Sequence, residues 1–338
     1  MSRVVITGAS GFIAKHIVLR ALNADHDVVA TLRSPGRAEE VRAAIRSGLA
    51  DPAGLHRLGF ATVDLEADAG WAEALQGAEA LIHTASPFSA AQPKDADILI
   101  RPAVEGTRRA LVAARAAGVR RVVLTSSVAA IAGQGAGQGP GLFDENRWTD
   151  PDDPKVTPYA RSKTLAERAA WDFVAAHPEM QLTVINPSLV MGPPLDSHYG
   201  TSVGLVARLL GGRDPMLPKI GFGIVDVRDV AEMHLRALER PEAVGQRIIA
   251  SAGSLWFKQI AAAVAAEAPG RRVPLREAPN PLIRLLALFD PAIRTILPTL
   301  GTMDQFANDR ARGILGISFV PAAEAVQATA RVLVAQER

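Results

Sequence analysis

The opening run Arg3-Val4-Val5-Ile6-Thr7-Gly8-Ala9-Ser10-Gly11-Phe12-Ile13-Ala14 constrains the chain most: β-branched residues pass directly into a glycine-punctuated turn and then into a helix marked by Phe12, Ile13, Ile17 and Leu19. A strand, a tight turn and a helix in this order form a dinucleotide pyrophosphate site. Gly8 takes a turn that a Cβ would obstruct, Gly11 lets backbone N–H groups approach phosphate, and Ala14 is small enough for the helix to lie against its strand. The helix N-terminus then faces the phosphates.

Short β-branched strands alternate with alanine-rich helical stretches beyond this point, at Val4–Thr7, Asp27–Leu32, Ala61–Asp64, Ala80–Thr84, Arg121–Thr125 and Leu182–Asn186. The periodic segment Glu105–Gly118 is one such helix, with Gly118 as its C-terminal cap. The pattern predicts an α/β fold, a Rossmann-type doubly wound parallel sheet with a smaller C-terminal substrate-binding lobe. After Pro187 the alternation breaks into Pro- and Gly-rich pieces, with a helix over Val203–Leu210. The expected division is 1–186 as the cofactor domain, 224–250 returning to it, and 187–223 with 251–338 as the lobe. The glycine-rich stretch 133–141 reads equally as an active-site loop and as a tolerated surface insertion. Leu282–Leu300, apolar but interrupted by Arg284, Asp290, Pro291, Arg294 and Pro298, is expected to fill the lobe core.

Charge and cysteine content narrow the function classes. Lys plus Arg total 37 against 35 Asp plus Glu, with no single-sign block able to track a nucleic-acid backbone, so nucleic acid is not an expected partner. With no cysteine there is no thiolate metal site and no thiol nucleophile, and the cytoplasm is the expected compartment. No apolar stretch of about 18 residues is present, so no membrane partner is expected. His83, His198 and His234 show no ligand spacing, and no metal is assigned.

At the end of the second strand the chain reads Ala30-Thr31-Leu32-Arg33-Ser34. A carboxylate there would bind a ribose 2′-hydroxyl, whereas a cation accommodates a 2′-phosphate. Arg33, with Ser34 and Arg37 close by, therefore points to NADP(H). Asp64-Leu65 at the next strand end is placed to meet the adenine. Tyr159 and Lys163 stand four residues apart, one helical turn on one face. A phenol with an ordinary pKa of about 10 needs a nearby cation to exchange protons at neutral pH, and Lys163 can supply it. The strand Arg121–Thr125 delivers Ser126 and Ser127 to the ligand-binding edge of the sheet, and Ser127 can donate to a carbonyl oxygen gaining charge. Thr125 and Ser126 are expected at the strand end and the cofactor wall.

Taken together with His83-Thr84-Ala85-Ser86-Pro87, Asn186-Pro187-Ser188-Leu189-Val190-Met191-Gly192-Pro193 and Asp226-Val227-Arg228-Asp229-Val230-Ala231, these motifs resemble the extended short-chain dehydrogenases/reductases. Within them the chain is most similar to the dihydroflavonol reductase-like branch, which includes NADPH-dependent aldehyde and ketone reductases. The resemblance implies that Ser127, Tyr159 and Lys163 are catalytic. It implies that Gly8, Gly11, Phe12 and Ile13 contact pyrophosphate, Arg33 and Arg37 the 2′-phosphate, and Asp64 and Leu65 the adenine. Thr84, Ala85 and Thr125 would line the cofactor path, Pro187 and Val190 the nicotinamide, and Ser202 the phosphate end. Ser86, Pro87, Phe88, Met191, Tyr199 and Phe222 fall where the substrate pocket lies. Two departures stand out: Ala14 replaces the third glycine of the commonest fingerprint, and the glycine-rich segment after Ile131 is longer than the pattern.

The implied activity is reversible carbonyl reduction on a small-molecule ketone or aldehyde by a monomer or homodimer. Two alternatives are an NAD-dependent nucleotide-sugar epimerase/dehydratase or hydroxysteroid dehydrogenase, and a non-catalytic NADP-sensing protein. Arg33 weighs against the former, and the Tyr159/Lys163 pair against the latter.

Overall fold

The computed structural model describes residues 2–86, 95–133 and 141–336. In chain order it runs β1 (Arg3–Ile6), α1 (Phe12–Asn23), β2 (Asp27–Leu32), α2 (Ala38–Arg46), β3 (Leu58–Thr62), α3 (Trp71–Ala74), β4 (Ala80–His83), α4 (Asp97–Ala116) and β5 (Arg121–Thr125). There follow α5 (Ala129–Ala132), β6 (Leu142–Phe143), α6 (Pro158–Ala176), β7 (Gln181–Pro187), β8 (Leu189–Met191), α7 (Thr201–Leu210), β9 (Gly221–Asp226) and α8 (Val227–Glu239). The chain closes with β10 (Arg247–Ala250), β11 (Gly253–Trp256), α9 (Phe257–Glu267), α10 (Asn280–Leu286), α11 (Pro291–Thr295), β12 (Gln305–Phe306), α12 (Asp309–Gly313) and α13 (Ala322–Gln336).

Seven parallel strands form the main sheet in the order β10-β7-β5-β4-β1-β2-β3. The expected doubly wound parallel sheet is therefore present. Its strands are covered on both faces, and β1 shows why a near-continuous apolar run works there: Val4 and Ile6 enter one core cluster, and Val5 enters the opposite one. Helices α1 and α8 pack together, as do α4 and α6. The chain leaves β1 for β2 on one side and returns to β4 on the other, so a crevice opens at the carboxyl ends between them.

A second sheet, β11-β9-β8, pairs β8 parallel and β11 antiparallel to β9. Residues 224–226, expected to rejoin the main sheet, instead finish β9; the return is made by α8 and by β10, which pairs with β7. Strand β3 begins at Leu58 and not at Ala61. It is an edge strand whose residues beyond Leu58 are half-buried or exposed, which weakens its apolar signal.

Leu282–Leu300 corrects an expectation. Ile283 and Leu300 are buried, but Leu285, Leu286, Leu288 and Phe289 are exposed, Phe289 by 80%. Prolines 291 and 298 divide the segment into short turns and helices, so no continuous apolar face is available to bury.

Candidate functional site

The crevice beside β1 is a cleft of about 880 Å³ that runs from Arg33 and Arg37 past the glycine turn to Tyr159. Gly8 has φ +70, and a Cβ on it would stand 3.0 Å from the Ala85 Cα. The turn therefore needs glycine both for its left-handed backbone and for the close passage of the chain leaving β4. That passage is fixed by Thr7, whose Oγ1 accepts from the N–H groups of Thr84 and Ala85, each at 3.1 Å. Gly11 caps α1 with no side chain, and Phe12, Ile13 and Ala14 line the cleft, so the first-turn N–H groups of α1 face open space.

At one end Arg33 is exposed and lines the cleft. Arg37 lines it too, but its guanidinium is forked onto Glu40, with Nε to Oε2 at 3.1 Å and Nη2 to Oε1 at 2.7 Å. This pairing raises the Arg37 pKa and lowers that of Glu40. Glu40, Asp196 and His198 lie close enough to suggest a metal cluster. Both carboxylates are already engaged, Glu40 by the Arg37 guanidinium and by the His198 ring at 3.0 Å, and Asp196 by the Lys15 amine. Asp64 and Leu65 line the cleft; one Asp64 oxygen accepts from the Glu66 N–H at 3.0 Å.

At the other end Ser127 follows β5 and hydrogen-bonds the Tyr159 phenol. The Ser127 Oγ also accepts from the Ala129 N–H at 3.1 Å, and its carbonyl accepts from Asn186 Nδ2 at 3.2 Å. Tyr159 sits in the first turn of α6, where Thr157 caps the helix by accepting from the Ala160 N–H and Pro158 occupies the first turn. Lys163 follows one turn later. Burial pushes the Tyr159 pKa up, and the Ser127 hydrogen bond opposes this. With its pKa raised, Tyr159 carries its proton and is able to donate it. Lys163 itself is pushed down to about 8 by loss of water around its amine, opposed by the charge of Glu167.

Thr84, Ala85, Ser86, Thr125, Val190 and Ser202 all line the cleft. Pro187 is buried at the end of β7, its carbonyl accepting from the Val128 N–H at 3.0 Å. Met191, expected in the substrate pocket, is fully buried in the core, because the inward-facing end of β8 packs under α7 and α13. Tyr199 is half-buried beside the cleft-lining Gly200, and Phe222 packs edge-on against Phe257, with ring centroids 5.9 Å apart. Pro87, Phe88 and positions 134–140 lie outside the described residues. Sequence reasoning missed Trp71, Ile98, Leu99 and Pro102, which also line the cleft. Helix α4 begins at Asp97 and not at Glu105, and its early proline masks that start. Glu167 was missed as well, although its spacing from Lys163 repeats that of Lys163 from Tyr159.

Comparison with known proteins matches residues 4–253 to the NAD dependent epimerase/dehydratase family. The chain is 34% identical over 339 residues to the ketoreductase azaE of Aspergillus niger, covering 94% of this chain and 93% of that protein. It is 34% identical over 278 residues to the NADPH-dependent methylglyoxal reductase GRE2 of Saccharomyces cerevisiae, covering 76% and 80%. The crystal structure of yeast methylglyoxal/isovaleraldehyde reductase Gre2 complexed with NADPH matches with a TM-score of 0.80 at 28% identity over 99% of each chain.

Proposed function

The chain belongs to the NAD dependent epimerase/dehydratase family, and from that premise we propose that it is an NADPH-dependent carbonyl reductase with Ser127, Tyr159 and Lys163 as its catalytic residues. The observation that carries this reading is the Ser127–Tyr159 hydrogen bond at one end of a cleft whose other end presents Arg33. The similarity to an NADPH-dependent reductase and to a ketoreductase supports it. The cleft suits a dinucleotide: the glycine turn lines it, and the start of α1, with no side-chain cap, leaves donors for the pyrophosphate.

NADPH, when bound, supplies a hydride to the carbonyl carbon. Ser127 donates a hydrogen bond to the carbonyl oxygen as charge grows there. Tyr159, held protonated by burial, gives that oxygen its proton from the phenolic hydroxyl. Lys163 keeps a positive charge one turn below the phenol and stabilises the phenolate left behind. Arg33 holds the 2′-phosphate, and Arg37 joins it by exchanging Glu40 for phosphate.

Among the described residues no helix is long and apolar enough to cross a membrane. Cytoplasmic location and a monomeric or homodimeric state belong to the same proposal, the cysteine-free composition supporting the former. Initial rates with a panel of ketones, diketones and aldehydes, run in parallel with NADPH and NADH, test the activity. Stoichiometric NADPH oxidation with alcohol formation is expected. Conversion of a nucleotide sugar without net cofactor consumption would replace this reading with the epimerase one.

A further inference from the structure

Behind Lys163 lies a carboxylate that the proposed chemistry does not use directly. Glu167 is buried on α6, one turn beyond Lys163 and about 6 Å along the axis. Four side chains donate to it: Ser126 Oγ at 2.6 Å, Asn186 Nδ2 at 2.8 Å, Trp171 Nε1 at 3.3 Å and Arg247 Nε at 2.5 Å. These donors come from the residue after β5 and from β7, α6 and β10. The Arg247 guanidinium lies 3.6 Å over the Trp148 ring and also donates to the carbonyls of Glu145 (2.8 Å) and Arg147 (2.7 Å).

All four groups donate, so both oxygens of Glu167 serve as acceptors, and one of the four donors is a guanidinium. Arg247 pairs with this carboxylate, and the Lys163 amine, one helical turn away on α6, feels its charge. The remaining ionisable neighbours do not supply that charge. His83, on β4, is held neutral by burial, with a pKa lowered to about 3. Its Nδ1 faces the Thr7 hydroxyl at 2.9 Å. That hydroxyl already accepts two backbone N–H bonds, so its proton goes to Nδ1, and His83 carries its own proton on Nε2. Tyr159 is protonated. Glu145 is occupied by the Ile249 N–H at 3.1 Å and by Arg310 at 3.7 Å.

Asn186 gives Glu167 a second route into the site. Its Nδ2 donates to Glu167 and also to the Ser127 carbonyl, at 3.2 Å, so one amide ties the carboxylate to the segment that carries the catalytic hydroxyl.

We propose that Glu167 is a positioning residue of this active site: its buried carboxylate holds Lys163 in the ammonium form and, through Asn186, fixes the strand end that carries Ser127. This rests on the reductase reading above. A merely structural Glu167 would tie β10 to α6 and leave the titration of Lys163 alone.

Glu167→Gln keeps the shape and removes the charge. Loss of an anion beside an ammonium lowers the pH at which that ammonium gives up its proton. The alkaline limb of kcat for carbonyl reduction is therefore expected to move down by about 1–2 pH units, which is a loss on the order of tenfold at pH 8. Glu167→Asp retains the charge and should restore most of the wild-type profile even where its Tm is lower. A second readout needs no turnover: side-chain carbon NMR of labelled lysines in the cofactor-free protein, with Lys163 assigned by Lys163→Arg, should show the same downward shift in Glu167→Gln. An unshifted limb and an unshifted lysine titration in Glu167→Gln, or a Glu167→Asp profile that departs from the wild type as far as that of Glu167→Gln, overturn the proposal. Absence of NADPH oxidation by the wild type instead removes the reductase reading and leaves the lysine titration to be judged separately.

Discussion

Around Ser127, Tyr159 and Lys163 the polar groups are half-buried or buried and are held from behind by protein donors and acceptors, whereas Arg33 at the opposite end of the same cleft stands exposed and Arg37 is already paired with Glu40. The difference is one of dielectric. Desolvation moves the two pKa values in opposite directions, holding Tyr159 as a proton donor and bringing Lys163 down to about 8. At the Arg33 end water screens each charge, so recognition of a phosphate is a sum of small terms. The chemistry is thus concentrated where single groups matter most, and cofactor choice is spread over groups that each matter less.

If that contrast holds, substitutions should lose force from the buried end to the exposed one. Tyr159→Phe removes the proton donor and is expected to lower kcat by about 10²–10⁴, with NADPH affinity nearly unchanged; steady-state rates and fluorescence titration check both, and unchanged turnover would break the contrast at its strongest point.

Burial behind the cleft has a stability consequence in acid. His16, His83 and His234 are lowered to about 4, 3 and 4 by desolvation. Since the unfolded chain takes up these protons near pH 6.5, stability is full above that pH and falls as pH drops toward 4. Asp229, raised to about 6, is protonated first in the folded chain and offsets one histidine. A net loss of about 3 kcal/mol per pH unit between pH 6 and pH 5 is expected. Denaturant midpoints measured between pH 7 and pH 5 test it, and a flat profile would show that the histidines are hydrated.

At the exposed end, Arg33→Ala should weaken NADPH binding by about 1.5–3 kcal/mol, roughly ten- to hundredfold in Kd, and leave NADH binding unchanged. Equal losses for both cofactors would remove the 2′-phosphate assignment. The smallest effect is expected from Glu40→Gln. Freeing Arg37 and deleting a nearby anion should tighten NADPH binding by at most about fivefold, an effect that raised salt abolishes. A weakening instead would show that Glu40 orders Arg37 and does not compete for it.

The main sheet was legible because β-branched runs separated by helices have one stable arrangement, and Asp27–Leu32 and Arg121–Thr125 are strands over the residues expected. The edge strand β3 was misplaced because a strand with one exposed side carries a weaker apolar signal. The exposed run from Leu285 to Phe289 was misread because hydropathy does not record how prolines divide a segment. In the site, Gly8 and Gly11 could be read from backbone necessity, and Tyr159 with Lys163 from helical spacing. Met191 could not be placed, since the last residue of a short strand faces core or cleft according to the layer packed above it.

The sequence alone determined the local chemistry: a glycine turn that only a close backbone approach explains, a cation at the end of β2, and a phenol and an amine on one helix face. These are fixed by residues a few positions apart, where bond geometry leaves little choice. Tertiary structure decided which groups stand behind them. Arg247 reaches Glu167 across 80 residues of chain, and Asn186 joins Glu167 to Ser127. Contacts of that kind depend on the order in which strands enter the sheet, and the burial they create shifts the ionisation of Tyr159 and Lys163 in ways that spacing does not encode.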